Sequence, residues 1–190
     1  SSLNRDDEVI IPAPYWVSYP DMTLLAGGKP IFVNCTSDTN FKLTGNALEQ
    51  VITKKSKWLI LNSPSNPTGS CYSKSELREI ADVVRKHDNL FVMTDDIYEY
   101  IVYDSFQFYT FAQVAPDLKD RVLTVNGVSK SYCMTGWRIG YAAGPTLLIR
   151  AMTKIQGQST SNPSSISQYA ALAGISGSND FLKPCLKAFD

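Results

Sequence analysis

Short apolar runs recur along the chain, and each ends in polar or turn-forming residues. Stretches with helical spacing lie between some of these runs, which is typical of strands that alternate with helices. The pattern predicts an α/β sheet in one domain, because no internal repeat and no linker rich in glycine or serine divides the chain. The predicted strands cover residues 9–11, 30–33, 58–61, 90–94, 121–125 and 139–143.

The best-defined predicted helix begins at a capping box. Ser73 and Glu76 have the spacing at which each side chain bonds the other residue's main-chain N–H, and apolar residues then recur at helical spacing to Val84. The helix is predicted to run to about Lys86. Before this helix, the prolines and the glycine of residues 62–69 prevent the preceding strand from continuing. Two further helices are predicted at residues 147–156 and 166–175.

Several chemically versatile side chains follow predicted strands. Trp16, Asn66 and Asp95 each come after a different strand, and Lys130 comes after a fourth. Open α/β sheets bind their ligands at the carboxyl ends of the strands. We therefore expect these side chains to lie close together at one edge of the sheet.

Composition narrows the classes of function. Of the 190 residues, 44% are hydrophobic and 19% are charged, values that argue against a disordered chain. The 18 basic and 18 acidic residues balance, so no overall field would attract nucleic acid or an anionic membrane. No apolar run reaches the roughly 20 residues of a membrane span, and residues 1–10 lack the apolar core of a signal peptide. We expect a cytoplasmic protein that binds a small molecule.

The cysteines do not form a metal-binding pattern. Cys35, Cys71, Cys133 and Cys185 are widely spaced, and His87 is the one histidine in the sequence. A zinc site is therefore not expected. Scattered thiols also suit a reducing compartment better than a disulfide framework.

A lysine followed by small hydroxyl residues and an arginine marks the loop after the fifth predicted strand. Taken alone, Lys130 would be a solvated charge. The run from Ser129 to Tyr141, however, resembles the S-K-x-x-x-x-x-G-x-R-x-G stretch of class I aminotransferases, whose lysine carries pyridoxal phosphate (PLP) as a Schiff base. Further matching stretches are P-Y-W-V-S-Y at 14–19, N-P-T-G at 66–69, Asp95 with Tyr98, and S-N-P at 161–163.

This resemblance covers essentially the whole chain and is greatest to the bacterial aspartate aminotransferases. It implies a mostly parallel sheet flanked by helices, the PLP-binding large domain of a fold type I aminotransferase. It also implies catalytic roles for three residues. Lys130 would bind the cofactor and shuttle a proton, Asp95 would face the ring nitrogen, and Tyr98 would hydrogen-bond the ring oxygen.

The remaining cofactor contacts also follow from the resemblance. Asn66 would hydrogen-bond the ring oxygen together with Tyr98, and Trp16 would stack on the ring. Ser129 and Arg138 would hold the phosphate, because a guanidinium presents a planar fork of donors. Asp96 is the weaker partner for the ring nitrogen, since the resemblance aligns the preceding aspartate.

Residues 1–190 are expected to form a partial large domain. In the family, a phosphate-binding turn lies further upstream and a small domain lies downstream, so the resemblance indicates a chain truncated at both ends. Residues 181–190 resemble the start of the long helix that joins the two domains. Family members are homodimers, which implies a homodimer for the parent protein.

The activity implied for the parent is transamination between L-aspartate, or a related amino acid, and 2-oxoglutarate. An aromatic or prephenate aminotransferase, a carbon–sulfur lyase or an aminocyclopropane-forming enzyme would share Lys130, Asp95 and Arg138. A catalytically incompetent fragment without bound cofactor is a further alternative. A plain nucleotide-binding domain is disfavoured, because no G-x-G-x-x-G or G-x-x-x-x-G-K-[ST] sequence follows a strand.

Overall fold

The computed structural model describes residues 2–189, which form a sheet flanked by helices. The strands are β1 (Glu8–Ala13), β2 (Lys29–Asn34), β3 (Ser56–Asn62), β4 (Phe91–Asp95), β5 (Val122–Gly127) and β6 (Gly140–Ala143). The helices are α1 (Ser18–Leu25), α2 (Gly45–Val51), α3 (Lys74–Arg85), α4 (Phe111–Val114), α5 (Thr146–Ser159), α6 (Ser165–Ser176) and α7 (Leu182–Phe189).

The six strands form one sheet in the order β2-β1-β3-β4-β5-β6. Strands β1 to β5 pair in parallel, and β6 pairs antiparallel with β5. The predicted α/β fold with a mostly parallel sheet is therefore confirmed. Parallel pairing places the carboxyl ends of β1, β3, β4 and β5 at the same edge.

Apolar side chains of the central strands alternate between two cores. Ile10, Leu59 and Val92 are fully buried on the face that packs against α2, α3 and α4. Trp58 and Ile60 of β3 point to the opposite face, where they pack with residues of α5. A sheet covered on both faces is the expected arrangement for parallel strands.

All six predicted strands are present, with ends that differ by at most two residues from the predicted ones. One such shift matters for the site, because Asp95 is the last residue of β4 rather than the first residue after it. The helix after the capping box ends at Arg85, with both reciprocal Ser73–Glu76 bonds formed. Predicted helices 147–156 and 166–175 correspond to α5 and α6, and the segment 181–190 contains α7, with Asp190 outside the described residues.

Helix α1 was missed because its sequence lacks an apolar stripe. Only Tyr19 and Thr23 are buried in it, while Leu24 and Leu25 face solvent. Helices α2 and α4 are seven and four residues long, too short for a helical period to be evident. None of the helices in residues 2–189 has both the length and the apolar character needed to cross a membrane.

Candidate active site

A cavity of about 360 Å³ lies at the edge of the sheet where the parallel strands end. It brings together every residue that the sequence predicted for the site: Trp16, Asn66, Asp95, Tyr98, Ser129, Lys130 and Arg138. Its remaining lining residues had no predicted role: Tyr19, Asn62, Ile97, Val125 and Thr135. The parallel sheet produces this convergence, since Asn62 and Asp95 are register neighbours and Asp95 is paired with Val125.

The Asp95 carboxylate is held at both oxygens. The Tyr19 hydroxyl donates to Oδ2 at 2.8 Å, and the Ile97 main-chain N–H donates to Oδ1 at 3.3 Å. Burial raises the pKa of Asp95 above its usual value, while these two hydrogen bonds act in the opposite direction. The strand end therefore presents a fixed carboxyl group to the cavity.

Asn62, the last residue of β3, makes hydrogen bonds both to the end of β4 and to the loop that follows β3. Its Nδ2 donates to the Asp95 main-chain oxygen at 2.8 Å. Its Oδ1 accepts from the Asn66 main-chain N–H at 2.7 Å. Asn62 thus connects the loop that carries Asn66 to the strand that carries Asp95.

Lys130 lies in the loop after β5, and its Nζ is 5.7 Å from the centroid of the Tyr98 ring. The path of this loop depends on Gly127, the last residue of β5. A Cβ at this position would lie 2.9 Å from the Ile139 main-chain oxygen, so a larger residue would push β6 away. Gly127 therefore allows β5 and β6 to pair at the point where the chain enters the loop that carries Lys130.

Arg138 is connected to the Ser129 backbone through Thr135. The Arg138 Nη1 donates to the Thr135 main-chain oxygen at 2.8 Å, and the Thr135 hydroxyl donates to the Ser129 main-chain oxygen at 2.9 Å. Arg138 has a left-handed backbone with φ of 56°. Arg138 and Ser129 both line the cavity.

Trp16 contributes an aromatic side chain to the cavity lining. Its indole ring meets the ring of Tyr19 edge to face, with centroids 5.5 Å apart and an interplanar angle of 87°. Trp16 is 41% exposed, so part of the residue is accessible to a ligand. A planar aromatic ligand could stack there.

Comparison with known proteins supports the sequence resemblance. The family model described as aminotransferase class I and II matches residues 1–188. The chain belongs to this aminotransferase family.

Relatives and a solved structure agree with this assignment. A probable aspartate/prephenate aminotransferase of Rickettsia bellii is 66% identical over 182 residues, which are 96% of this chain and 46% of the relative. The aspartate/prephenate aminotransferase of Cereibacter sphaeroides is 60% identical over 189 residues, 100% of this chain and 47% of the relative. The crystal structure of the aspartate aminotransferase from Rhizobium meliloti superimposes with a TM-score of 0.97 at 52% identity, covering 99% of this chain and 47% of that chain. The chain thus spans about half the length of these relatives.

The donor set of the cavity fits PLP, the cofactor that the class I family uses. One lysine amine, one fixed carboxylate and one guanidinium lie in the same lining. These groups match the cofactor's aldehyde, ring nitrogen and phosphate, respectively. Trp16 adds an aromatic face for the ring. The aminotransferase chain therefore contains a group suited to each part of the cofactor.

The loop at 161–163 and Asp96 were both considered in the sequence, and both lie outside the cavity lining. The loop at 161–163 joins α5 to α6 and is exposed, with the Asn162 Nδ2 bonded to the Pro163 main-chain oxygen. Asp96 is 3% exposed and is not among the residues that line the cavity. Of Asp95 and Asp96, Asp95 is the one that lines the cavity.

The buried Asp96 carboxyl gives the aminotransferase chain a predicted pH dependence of stability. Burial, reinforced by the nearby Glu99 carboxylate, raises the pKa of Asp96 to about 7. The neighbouring hydroxyls of Thr110 and Thr94 offset this only in part, since neither oxygen makes a well-aligned hydrogen bond. Because the folded chain then binds a proton that the unfolded chain has released, the contribution of this carboxyl to the free energy of unfolding falls as pH rises from about 4 to 7.

Asp96→Asn is expected to remove this contribution. Relative to the wild type, the variant should gain stability between pH 4 and 7, by up to roughly 4 kcal/mol at the top of that range. Urea unfolding at several pH values measures the difference. At pH 3, where both forms are neutral, the gain should vanish. A constant difference between variant and wild type at every pH would contradict the prediction.

Proposed function

We propose that this chain provides the PLP site of an enzyme that transfers an amino group between L-aspartate, or a related amino acid, and 2-oxoglutarate. The observation that carries the proposal is the convergence of Lys130, Asp95 and Arg138 on one cavity. The names of the relatives support aspartate as the amino donor.

When bound, PLP supplies a protonated aromatic ring that accepts the electron pair of the bond broken at the substrate Cα. In this proposal, Asp95 holds the proton on the ring nitrogen, because a carboxylate near a cation favours the protonated form. Its partners Tyr19 and Ile97 keep the carboxylate in place. An orienting network of this kind lowers the reorganisation needed during reaction.

Lys130 has two proposed tasks. Its amine would hold the cofactor covalently, and the same amine would move the proton at the substrate Cα. Tyr98 and Asn66 donate hydrogen bonds to the cofactor's ring oxygen. The Asn62 bridge holds the Asn66 loop at a constant position relative to Asp95.

The phosphate and the ring plane are held by the other predicted residues. Arg138 and Ser129 bind the phosphate with charge-assisted and hydroxyl donors. Trp16 packs against the ring and excludes water from one side. Stacking and phosphate binding together orient the bond to be broken, and orientation is worth up to roughly 7–11 kcal/mol of a reaction barrier.

We further propose that residues 1–190 are part of the PLP-binding large domain of a longer cytoplasmic protein that acts as a homodimer. The share of the relatives that this chain covers, 46–47%, supports a missing remainder of similar length. The phosphate-binding turn and the small domain would belong to that remainder. Amino acids and 2-oxo acids would be its small-molecule partners.

A second candidate function is transamination of prephenate. The relatives from Rickettsia bellii and Cereibacter sphaeroides carry aspartate/prephenate in their names. The same cavity residues would serve, because both reactions make and break the same bonds at Cα. The two activities differ in the acceptor, so substrate assays separate them.

The experiment is an assay of amino transfer with PLP present. L-Aspartate with 2-oxoglutarate should yield oxaloacetate and L-glutamate in equal amounts, detected by mass spectrometry. L-Aspartate with prephenate as the acceptor tests the second candidate. Pyruvate and ammonia from sulfur-containing amino acids, without any amino transfer, would instead favour a carbon–sulfur lyase and overturn the proposal.

A further inference from the structure

Tyr19 is a buried tyrosine that lines the cavity and bonds Asp95 through its hydroxyl. It lies in the first turn of α1, three residues after Trp16, and is 3% exposed. Its oxygen lies 2.8 Å from Asp95 Oδ2, across 76 positions of sequence. Helix α1 therefore touches the end of β4 through one polar contact.

The direction of this hydrogen bond follows from the two groups. An ionised carboxylate only accepts hydrogen bonds, so the phenol is the donor. Burial and the negative charge of Asp95 raise the pKa of Tyr19, which keeps the proton on the phenol at neutral pH. With Ile97 N–H on the other oxygen, both carboxylate oxygens have a donor and the plane of the group is fixed.

Tyr19 also links Asp95 to the aromatic wall. Its ring supports the Trp16 indole edge to face, and its main-chain oxygen accepts a hydrogen bond from Thr23 Oγ1 at 2.9 Å. The first turn of α1 thus sets two features at once, the orientation of the carboxylate and the position of the indole. Neither feature would be held if α1 shifted.

We propose that Tyr19 is a positioning residue that keeps the Asp95 carboxylate ionised and aimed into the cavity, where it would hold the proton of the cofactor ring nitrogen. The cofactor part of this inference rests on the proposed function. The hydrogen bond to Asp95 does not, because it joins two residues of this chain.

The first test measures the ionisation of Asp95 directly. In chain labelled with ¹³C at aspartate carboxyls, the Asp95 signal is assigned by its loss in Asp95→Asn. Tyr19→Phe removes the donor and leaves the burial, so the Asp95 pKa is expected to rise relative to the wild type. The charged or titratable groups that face Asp95 stay unchanged in this variant: Asp96, Tyr98, Lys130 and Arg138.

Tyr15→Phe is the matched control. Tyr15 lies four residues earlier and stacks on Phe32 at 5.2 Å, so its ring contact survives the change. This variant should leave the Asp95 titration as in the wild type. An Asp95 pKa in Tyr19→Phe that is equal to or lower than the wild-type value would overturn the inference.

A second measurement connects Tyr19 to the cofactor. The PLP concentration that gives half-maximal borohydride-stable labelling of Lys130 should rise about tenfold in Tyr19→Phe, the loss expected for a hydrogen bond to a charged group. An unchanged concentration would show that Asp95 does not act on the cofactor through Tyr19. If the wild type shows no Lys130 labelling, the proposed function fails for this chain, while the ¹³C titration still decides whether Tyr19 controls Asp95.

Discussion

Lys130→Ala is expected to lower the rate of amino transfer by about 10³- to 10⁴-fold, because positioned acid–base groups contribute up to this much. The variant would also lose the covalent attachment of PLP. Steady-state assays with saturating PLP and L-aspartate measure the effect. The loss should fall on kcat as well as kcat/KM, since the amine acts after the substrate has bound.

Two further variants separate the proposed roles of Lys130 from its charge. Lys130→Arg keeps a positive charge, but a guanidinium does not release its proton near neutral pH, so nearly the same loss is expected. Lys119→Ala removes an exposed lysine from the turn that precedes β5, at the other end of that strand. It should change the rate by less than about twofold. A Lys130→Ala variant that keeps more than about a tenth of the wild-type rate would contradict the role of this amine.

Phe111→Ala is expected to destabilise the fold by about 3–5 kcal/mol, because it leaves a large cavity in the main core. Phe111 is 1% exposed and begins α4, directly after Thr110, which lies beside the buried Asp96. The cavity would therefore open next to Thr110 and the Asp96 carboxyl, at the point where β4 leads into the turn that carries Tyr98. Urea unfolding, followed by circular dichroism, measures the change in the free energy of unfolding.

The matched control is Phe189→Ala in α7, where the phenylalanine is 79% exposed. This substitution should change the free energy of unfolding by less than about 0.5 kcal/mol. A loss of under about 1 kcal/mol in Phe111→Ala would mean that the core around α4 can collapse to fill the space. That result would contradict the tight packing inferred between α4 and the sheet.

Much of the fold could be predicted from sequence because the buried strands are short apolar runs bounded by turn residues. β3 is such a run, and the prolines that follow it fix where it ends. Helix α3 was predictable for a different reason, since its capping box and apolar stripe agree. Helix α1 carries neither signal, and its place is set by Tyr19 and Thr23 packing against the sheet.

The residues of the site also divide into those that the sequence predicts and those that only the folded chain reveals. Lys130 and Arg138 lie in one contiguous motif, so the resemblance alone identified them. Tyr19 was part of a recognised stretch, but its bond to Asp95 joins positions 76 residues apart and depends on how α1 packs. Asn62 would have been read as an ordinary turn residue, because its two partners are main-chain atoms that only the folded chain brings within reach.

The central claim is that the cavity at the strand ends holds PLP on Lys130. The most direct test mixes the purified chain with PLP, reduces the mixture with borohydride and locates the adduct by peptide mass spectrometry. The account predicts a single adduct on Lys130 that is absent from Lys130→Ala. Labelling scattered over several lysines, or an adduct that persists in Lys130→Ala, would contradict it.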